Sequence, residues 1–275
     1  MKRTKNFEEG KIYWTKNRNP EQFKVIEIVS ARLENGGILI EFLDGGFRKW
    51  YDARRLSRGQ IVSPYSKTVF GVGFVGEGRF IPTNPDKSPT REYNRWKAML
   101  QRCYDVKSNP KSNSYKVCEV ADKWLNFQDF AEWITKQYGW ENDWQLDKDL
   151  LKSRNGLYSP ENCCLIPSEI NQALLSKPSN SNNGLPCGVG YHKKNGVYVS
   201  HVHTEDTTYQ GSFATAEQAW KVAKRTKEGY IKSLAEKYKG ELDERVYTAL
   251  NNYEYLPEFV EKTLYDSARK GDGYE

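Results

Sequence analysis

Histidine is nearly missing from this chain. Three of its 275 residues are His, and all lie beyond residue 190. Chemistry that needs an imidazole base or ligand is therefore excluded from the sequence before that point. Cysteine is also scarce: five residues, an odd number, without a CxxC pair. The adjacent Cys163 and Cys164 would bridge only with strain. This usage excludes a disulfide scaffold and predicts a reduced, cytoplasmic protein with buried free thiols. No apolar run approaches the length of about 18 residues that a membrane span needs. Met1-Lys2-Arg3-Thr4-Lys5 leads into Asn6-Phe7-Glu8-Glu9 rather than an apolar stretch, which argues against a secretory signal.

What is present suits a folded, modular protein. A hydrophobic fraction of 37% with 13% aromatics can build cores, and the length accommodates two or three domains. The net charge of +6 is unevenly placed. Residues 1–90 carry 16 Lys+Arg against 10 Asp+Glu, and residues 186–240 carry 9 against 5. Residues 91–185 are nearly balanced at 13 against 12, and the stretch 241–275 is acidic at 4 against 9. Two basic modules around a neutral middle suit a polyanionic partner such as DNA, although charge alone also describes a solvated surface.

Residues 1–66 read as a small β barrel. Lys11–Trp14, Phe23–Val29, Ile38–Phe42 and Arg48–Tyr51 are β-rich runs punctuated by Asn35-Gly36-Gly37 and Asp44-Gly45-Gly46. Arg54 and Arg55 follow as candidate DNA contacts. Residues 67–90 are expected to be a linker. Its Gly71–Gly78 stretch lacks the Lys-Ser/Thr ending of a phosphate-binding loop and reads as turns packed on a neighbour. From Arg91 the period is helical. Tyr93, Trp96, Met99, Leu100 and Cys103 share one face. Trp124, Phe127, Ala131 and Ile134 line a second helix, with Gly139 as its stop. These aromatics are expected in a core.

The stretch Leu146–Asn171, LDKDLLKSRNGLYSPENCCLIPSEIN, carries the chemistry. Trp144–Leu151 fits a strand, Tyr158-Ser159-Pro160-Glu161-Asn162 a turn, Cys163–Ile166 a second strand, and Pro167–Leu175 a helix. Asp147 and Asn162 then offer hard oxygen ligands suited to Mg²⁺ or Mn²⁺, with Asn171 one turn into the helix. The alternative use of these residues is to cap and turn the hairpin. The segment resembles the HNH nucleases. Asp147 matches that family's aspartate metal ligand, Asn162 its middle Asn, and Asn171 its third motif position. Lys148 stands where the family has its general-base His. Three readings stay open: Lys148 acts as base or transition-state cation, Asp149 takes the base role, or the site is catalytically weak and Lys148 contacts phosphate. Strand alternation would point Asp149 to the side of Asp147 and away from Lys148. A zinc on Cys103, Cys118, Cys163 and Cys164 is disfavoured, because short Cys pairs are absent.

After a polar stretch around Asn180–Asn183, three strands fit Val189–Lys193, Val197–His203 and Thr208–Phe213. A helix follows, with Thr215 and Gln218 as a capping box and an apolar stripe of Ala216, Ala219, Trp220, Ala223, Tyr230 and Leu234. Gly188-Val189, Tyr198 and Gly211–Ala219 resemble the Apetala/ethylene-response-factor type DNA-binding domain. That resemblance implies a sheet face entering the major groove, here bearing His192, His201, His203 and Tyr209, with Lys193 and Lys194 on phosphates. Gly190 departs from that family's pattern, in which a basic residue follows Gly-Val. The three His also suggest a metal triad. The segment 241–275 is an acidic tail, helical through Val246–Tyr253.

The expectation is thus a multi-domain α+β protein: an N-terminal small β barrel (1–66), a linker (67–90), a helix-rich HNH-like ββα-metal domain (91–185), a three-stranded sheet packed on a helix (186–240), and a tail (241–275). The two resemblances imply a phage-type endonuclease or nickase acting on double-stranded DNA in the host bacterial cytoplasm. The alternative is a DNA-binding regulator on a nuclease scaffold.

Overall fold

The computed structural model describes residues 7–29, 37–105, 118–152, 156–175, 184–205 and 207–256. It is a mixed α+β chain that divides into two compact units, Met1–Thr135 and Lys136–Glu275. The helices expected between 91 and 134 belong to the first unit, and the Asp147 hairpin belongs to the second. Asn35 and Gly36 of the expected first turn, the polar stretch Asn180–Asn183 and the segment beyond residue 256 lie outside the described residues.

The first unit begins with an antiparallel meander of β1 (Ile12–Trp14), β2 (Gln22–Val29), β3 (Gly37–Phe42) and β4 (Arg48–Tyr51), in that spatial order. Alternation puts Phe23, Val25, Ile38, Ile40 and Phe42 on one face, where they form a core with Tyr51, Leu56 and Ile61. The expected barrel is not closed among the described residues, since the order leaves β1 and β4 at opposite edges. Asp52 explains why. Its carboxylate accepts from Arg55 N at 2.8 Å and starts α1 (Ala53–Arg58), so the chain leaves the sheet as a helix. It returns beside β1 through single contacts: Lys16 N donates to Gly59 O at 2.8 Å, and Asn17 Nδ2 to Ile61 O at 2.5 Å.

The Gly-rich stretch is a packed connector. Phe74 N donates to Leu125 O and Phe127 N to Phe74 O, both at 2.9 Å. Gly76 has φ +72°, and a Cβ there would collide with the Asn126 side chain. Buried Gln128 holds the rest: its Nε2 donates to Val75 O and Phe80 O at 3.2 and 2.9 Å, and its Oε1 accepts from Phe80 N at 3.0 Å. Beneath it lie α2 (Arg91–Tyr104), β5 (Glu119–Val120), α3 (Asp122–Leu125) and α4 (Phe127–Ile134). Trp96, Met99 and Leu100 of α2 are buried, as are Trp124, Phe127, Phe130, Ala131 and Ile134. The second expected helix is split because the Asn126 side chain accepts from Gln128 N at 3.1 Å and caps α4. Helix α4 ends at Ile134 with Thr135 as its cap, ahead of Gly139.

In the second unit, β6 (Gln145–Asp147), β7 (Leu157–Tyr158), β8 (Cys164–Ile166) and α5 (Ser168–Leu174) make the hairpin and its helix. The strands β9 (Val189–His192), β10 (Val197–His201) and β11 (Tyr209–Phe213) form a sheet with β10 central. It packs on α6 (Ala216–Lys237), and α7 (Glu244–Asn251) follows. Thr215 accepts from Gln218 N at 3.2 Å, as the capping pattern requires. Ala219, Ala223, Ile231 and Leu234 are buried along α6. So is Lys227, only 7% exposed, with Nζ 5.7 Å from the Tyr255 ring centroid. A three-point clamp ties this helix to the hairpin: Glu169 of α5 accepts from Lys237 Nζ and from the Tyr238 hydroxyl, each at 2.9 Å. Trp144 stands edge-on to Tyr238 with ring centroids 6.1 Å apart.

Two stability outcomes follow. Gln128→Ala leaves the Phe80 N–H and two carbonyls without their partner, and denaturant unfolding should show a loss of about 2–3 kcal/mol. Burial pulls the Lys227 pKa below 10.5, opposed by the neighbouring Cys187 thiol. Charged Lys227 therefore costs stability at neutral pH, and the cost fades as pH rises from that lowered value toward 10.5. Lys227→Met should be stabilising by about 1 kcal/mol at pH 7, with the gain shrinking toward pH 10.5.

Candidate functional site

The hairpin is antiparallel, with Gln145 opposite Ile166, Leu146 opposite Leu165 and Asp147 opposite Cys164. Strand β6 stops at Asp147, short of the expected Leu151. The cause is the aspartate itself. Its Oδ1 accepts from Asp149 N at 2.9 Å and Leu150 N at 2.7 Å, taking two amides that a longer strand would have used in a ladder. Burial raises the Asp147 pKa above its ordinary 3.8, and the Leu150 amide opposes that rise.

Because the strand has ended, alternation no longer separates residues 148 and 149. Lys148 Nζ lies 2.5 Å from Asp149 Oδ1, contrary to the opposed orientation expected from a continuous strand. The Lys148 side chain is 13% exposed, and its ammonium sits 5.7 Å from the Tyr158 ring centroid. At the other side of the hairpin, Asn162 N and Cys163 N donate to Ser159 O at 3.2 and 3.0 Å, which forms the expected Ser-Pro-Glu-Asn turn. Asn162 Nδ2 donates to Leu157 O at 3.4 Å. The buried Cys163 thiol is pushed up to about 12, mainly by desolvation.

Asn171 sits in α5, and its Nδ2 donates to Gln145 Oε1 at 2.5 Å. Gln145 and Asp147 are two apart on β6 and share a face, so Asn171 reaches the aspartate's side of the hairpin as a brace between helix and strand. The sequence pattern did not single out Gln145 or Glu169. Their roles depend on contacts 26 and 68 residues distant, which local periodicity does not encode.

Among the described residues, no group of three or more His, Cys, Asp or Glu side chains is placed to hold a metal. The hairpin instead offers two hard donors: the second carboxylate oxygen of Asp147 and the amide oxygen of Asn162, neither of which takes part in the bonds given above. Such a pair fits Mg²⁺, which binds through one or two protein oxygens and retains water. It does not fit a structural zinc, which is held by a closed set of Cys and His ligands.

The sheet places the other candidates. Register and alternation put His192, Val197, Val199, His201, Tyr209 and Ser212 on one face, with Val189 and Ser200 buried on the face toward α6. The His201 and Tyr209 rings are 5.6 Å apart, and the Tyr209 hydroxyl lies 2.6 Å from Ser212 Oγ. A register shift follows Ser200, and the Gln210 side chain fills it by pairing with Val202 N and O, both at 2.7 Å. Lys193 and Lys194 are exposed in the turn after His192. His203 lies past the end of β10, with Nδ1 3.1 Å from Thr208 Oγ1, and is not on the sheet face. His192 and His201 are at opposite ends of the face, opposite Val197 and Tyr209 respectively, so the three His do not converge. Arg54 and Arg55 belong to α1 of the first unit, both exposed, with the Arg55 guanidinium 5.5 Å from the Tyr51 ring centroid.

No protein-family model, curated protein or solved structure matches the chain.

The turn at Asp147 separates shape from charge. Asp147→Asn keeps an oxygen for the two amides and removes a buried carboxylate, whereas Asp147→Ala leaves both amides unpaired. Thermal unfolding at pH 7 should show Asp147→Asn at least as stable as wild type and Asp147→Ala less stable by about 1–3 kcal/mol. Since the folded pKa is raised, wild type should lose ground to Asp147→Asn as pH climbs from 3.8 through that raised value.

Proposed function

We propose that the chain is a metal-dependent DNA endonuclease or nicking enzyme of the HNH type, acting on double-stranded DNA. The observation that carries this reading is the strand–turn–strand–helix hairpin, which pairs Asp147 with Cys164, two residues after Asn162, and sets Lys148 and Asp149 beside the aspartate. It is supported by the exposed His192–His201–Tyr209 sheet face in the same compact unit. Asp147 and Asn162 would hold Mg²⁺ or Mn²⁺, which supplies polarisation of the scissile phosphate and neutralises the leaving oxygen. Lys148 supplies a cation for the phosphate, Asp149 a carboxylate able to take a proton from water, and Asn171 fixes the helix against the aspartate's strand. The Lys148–Asp149 pair then has to open on the substrate, with phosphate replacing carboxylate at the ammonium. His192, His201 and Tyr209 would face base edges, while Lys193, Lys194, Arg54 and Arg55 suit phosphates. The protein would work in the cytoplasm that holds its DNA. No helix among the described residues is long and apolar enough to cross a membrane.

A second reading rests on one specific observation. Asp147 already spends one oxygen on the turn, and no His accompanies it. A protein that binds DNA through the same surfaces without cutting it, as a regulator on a nuclease scaffold, uses that arrangement equally well.

Supercoiled plasmid incubated with Mg²⁺, Mn²⁺ or EDTA separates the two. The enzyme reading expects metal-dependent nicking that falls about a hundredfold or more in Asp147→Ala and in the better-folded Asp147→Asn. If Lys148 contacts phosphate, Lys148→Ala weakens DNA binding and lowers the salt slope by about one; if it acts on water, turnover falls at unchanged affinity. Salt-sensitive binding with no cleavage under any metal would establish the regulator.

A further inference from the structure

Cys103 and Cys118 have their sulfurs 2.7 Å apart. Cys103 is in the last turn of α2 and is half-buried; Cys118 immediately precedes β5 and is buried. The neighbouring pair holds the same register, with Val120 N donating to the Tyr104 hydroxyl at 3.1 Å. Two successive residues of α2 thus meet the residue before β5 and the last residue of β5. A separation of 2.7 Å is well inside the contact distance of two sulfurs. It is also too short for two ligands of one tetrahedral zinc, whose sulfurs stand about 3.8 Å apart when each Zn–S bond is about 2.3 Å.

We propose that Cys103 and Cys118 form a reversible intramolecular disulfide, making this pair an oxidative modification site of the first unit. The inference is independent of the proposed nuclease activity. The other thiols do not compete. Cys163, Cys164 and Cys187 are buried, and desolvation pushes the Cys163 and Cys164 thiols up, away from the reactive thiolate. With a small-molecule disulfide as oxidant, the half-buried Cys103 thiolate attacks one sulfur and releases the first thiolate. Cys118, as thiolate, then attacks Cys103 Sγ of the mixed disulfide and releases the second. One S–S bond is broken and one is formed; both protein protons end on the two released small thiols.

The test uses the full chain treated with oxidised glutathione, with a dithiothreitol-reduced control. Intact mass should fall by two hydrogens with no glutathione retained. Tryptic mapping without reductant should join the peptide 103–107 to the peptide 117–123. The oxidised protein should melt about 5–10 °C above the reduced one, because the bond closes a loop of about 15 residues. Cys103→Ser and Cys118→Ser should each abolish both the link and the shift while matching the reduced wild-type melting temperature. The wild-type peptide map stands on its own should either variant fold poorly. A stable glutathione adduct on Cys103, a link through Cys163, Cys164 or Cys187, disulfide-joined dimers, or one zinc per chain released by Cys103→Ser would each overturn the proposal.

Discussion

Everything at the candidate site depends on what one carboxylate oxygen does. Asp147 Oδ1 takes the amides of Asp149 and Leu150, and by doing so it ends β6, turns the chain and swings Lys148 onto Asp149. The same group is buried, and that burial raises its pKa. A buried anion of this kind has two ways of being satisfied: it takes up a proton, or it meets a cation. The backbone amides satisfy half of it. The other oxygen is where a divalent ion would complete the account, and this is why the turn-forming role and the proposed metal-holding role reinforce one another rather than compete.

Buried amides and carboxylates recur as organisers elsewhere in the chain. Gln128 collects three backbone groups from a segment with little side-chain bulk of its own, and Gln145 receives Asn171 across 26 residues. Gln128 supplies partners that the local backbone does not, and the Asn171–Gln145 bond braces helix to strand. A Gly-rich connector has few apolar atoms to bury, so polar anchoring has to supply what hydrophobic packing cannot.

Much of the architecture was legible because it follows short periods. The inward set Phe23, Val25, Ile38, Ile40 and Phe42 alternates in the sequence, and Trp96, Met99 and Leu100 recur at helical spacing. Thr215 and Gln218 announce a helix start that is there. The misses have a common physical origin. Asp52, Asn126 and Asp147 each divert the backbone by bonding to an amide two or three residues on, and the same residue types look equally at home in a surface loop. Those three bonds account for the open sheet, the split helix and the short strand. Lys227 reads as a solvent residue by type, although its position on the α6 stripe buries it. His203 stood in register with His201 on paper, but the strand ends between them. For the candidate site, the strand–turn–strand–helix order and the residues at its open end were readable from spacing; the Lys148–Asp149 pairing was not, because it exists only once the strand has stopped.

The Glu169 clamp to Lys237 and Tyr238 has a thermodynamic corollary. The clamp links the hairpin to the C-terminal end of the sheet-bearing helix α6, so part of any free energy added at one is felt at the other. An ion bound between Asp147 and Asn162 would deepen the closed state of the whole unit. Amides in β9, β10 and β11 would then exchange with deuterium more slowly, though none of them touches the ion. The far sheet would serve as a reporter of occupancy at the hairpin.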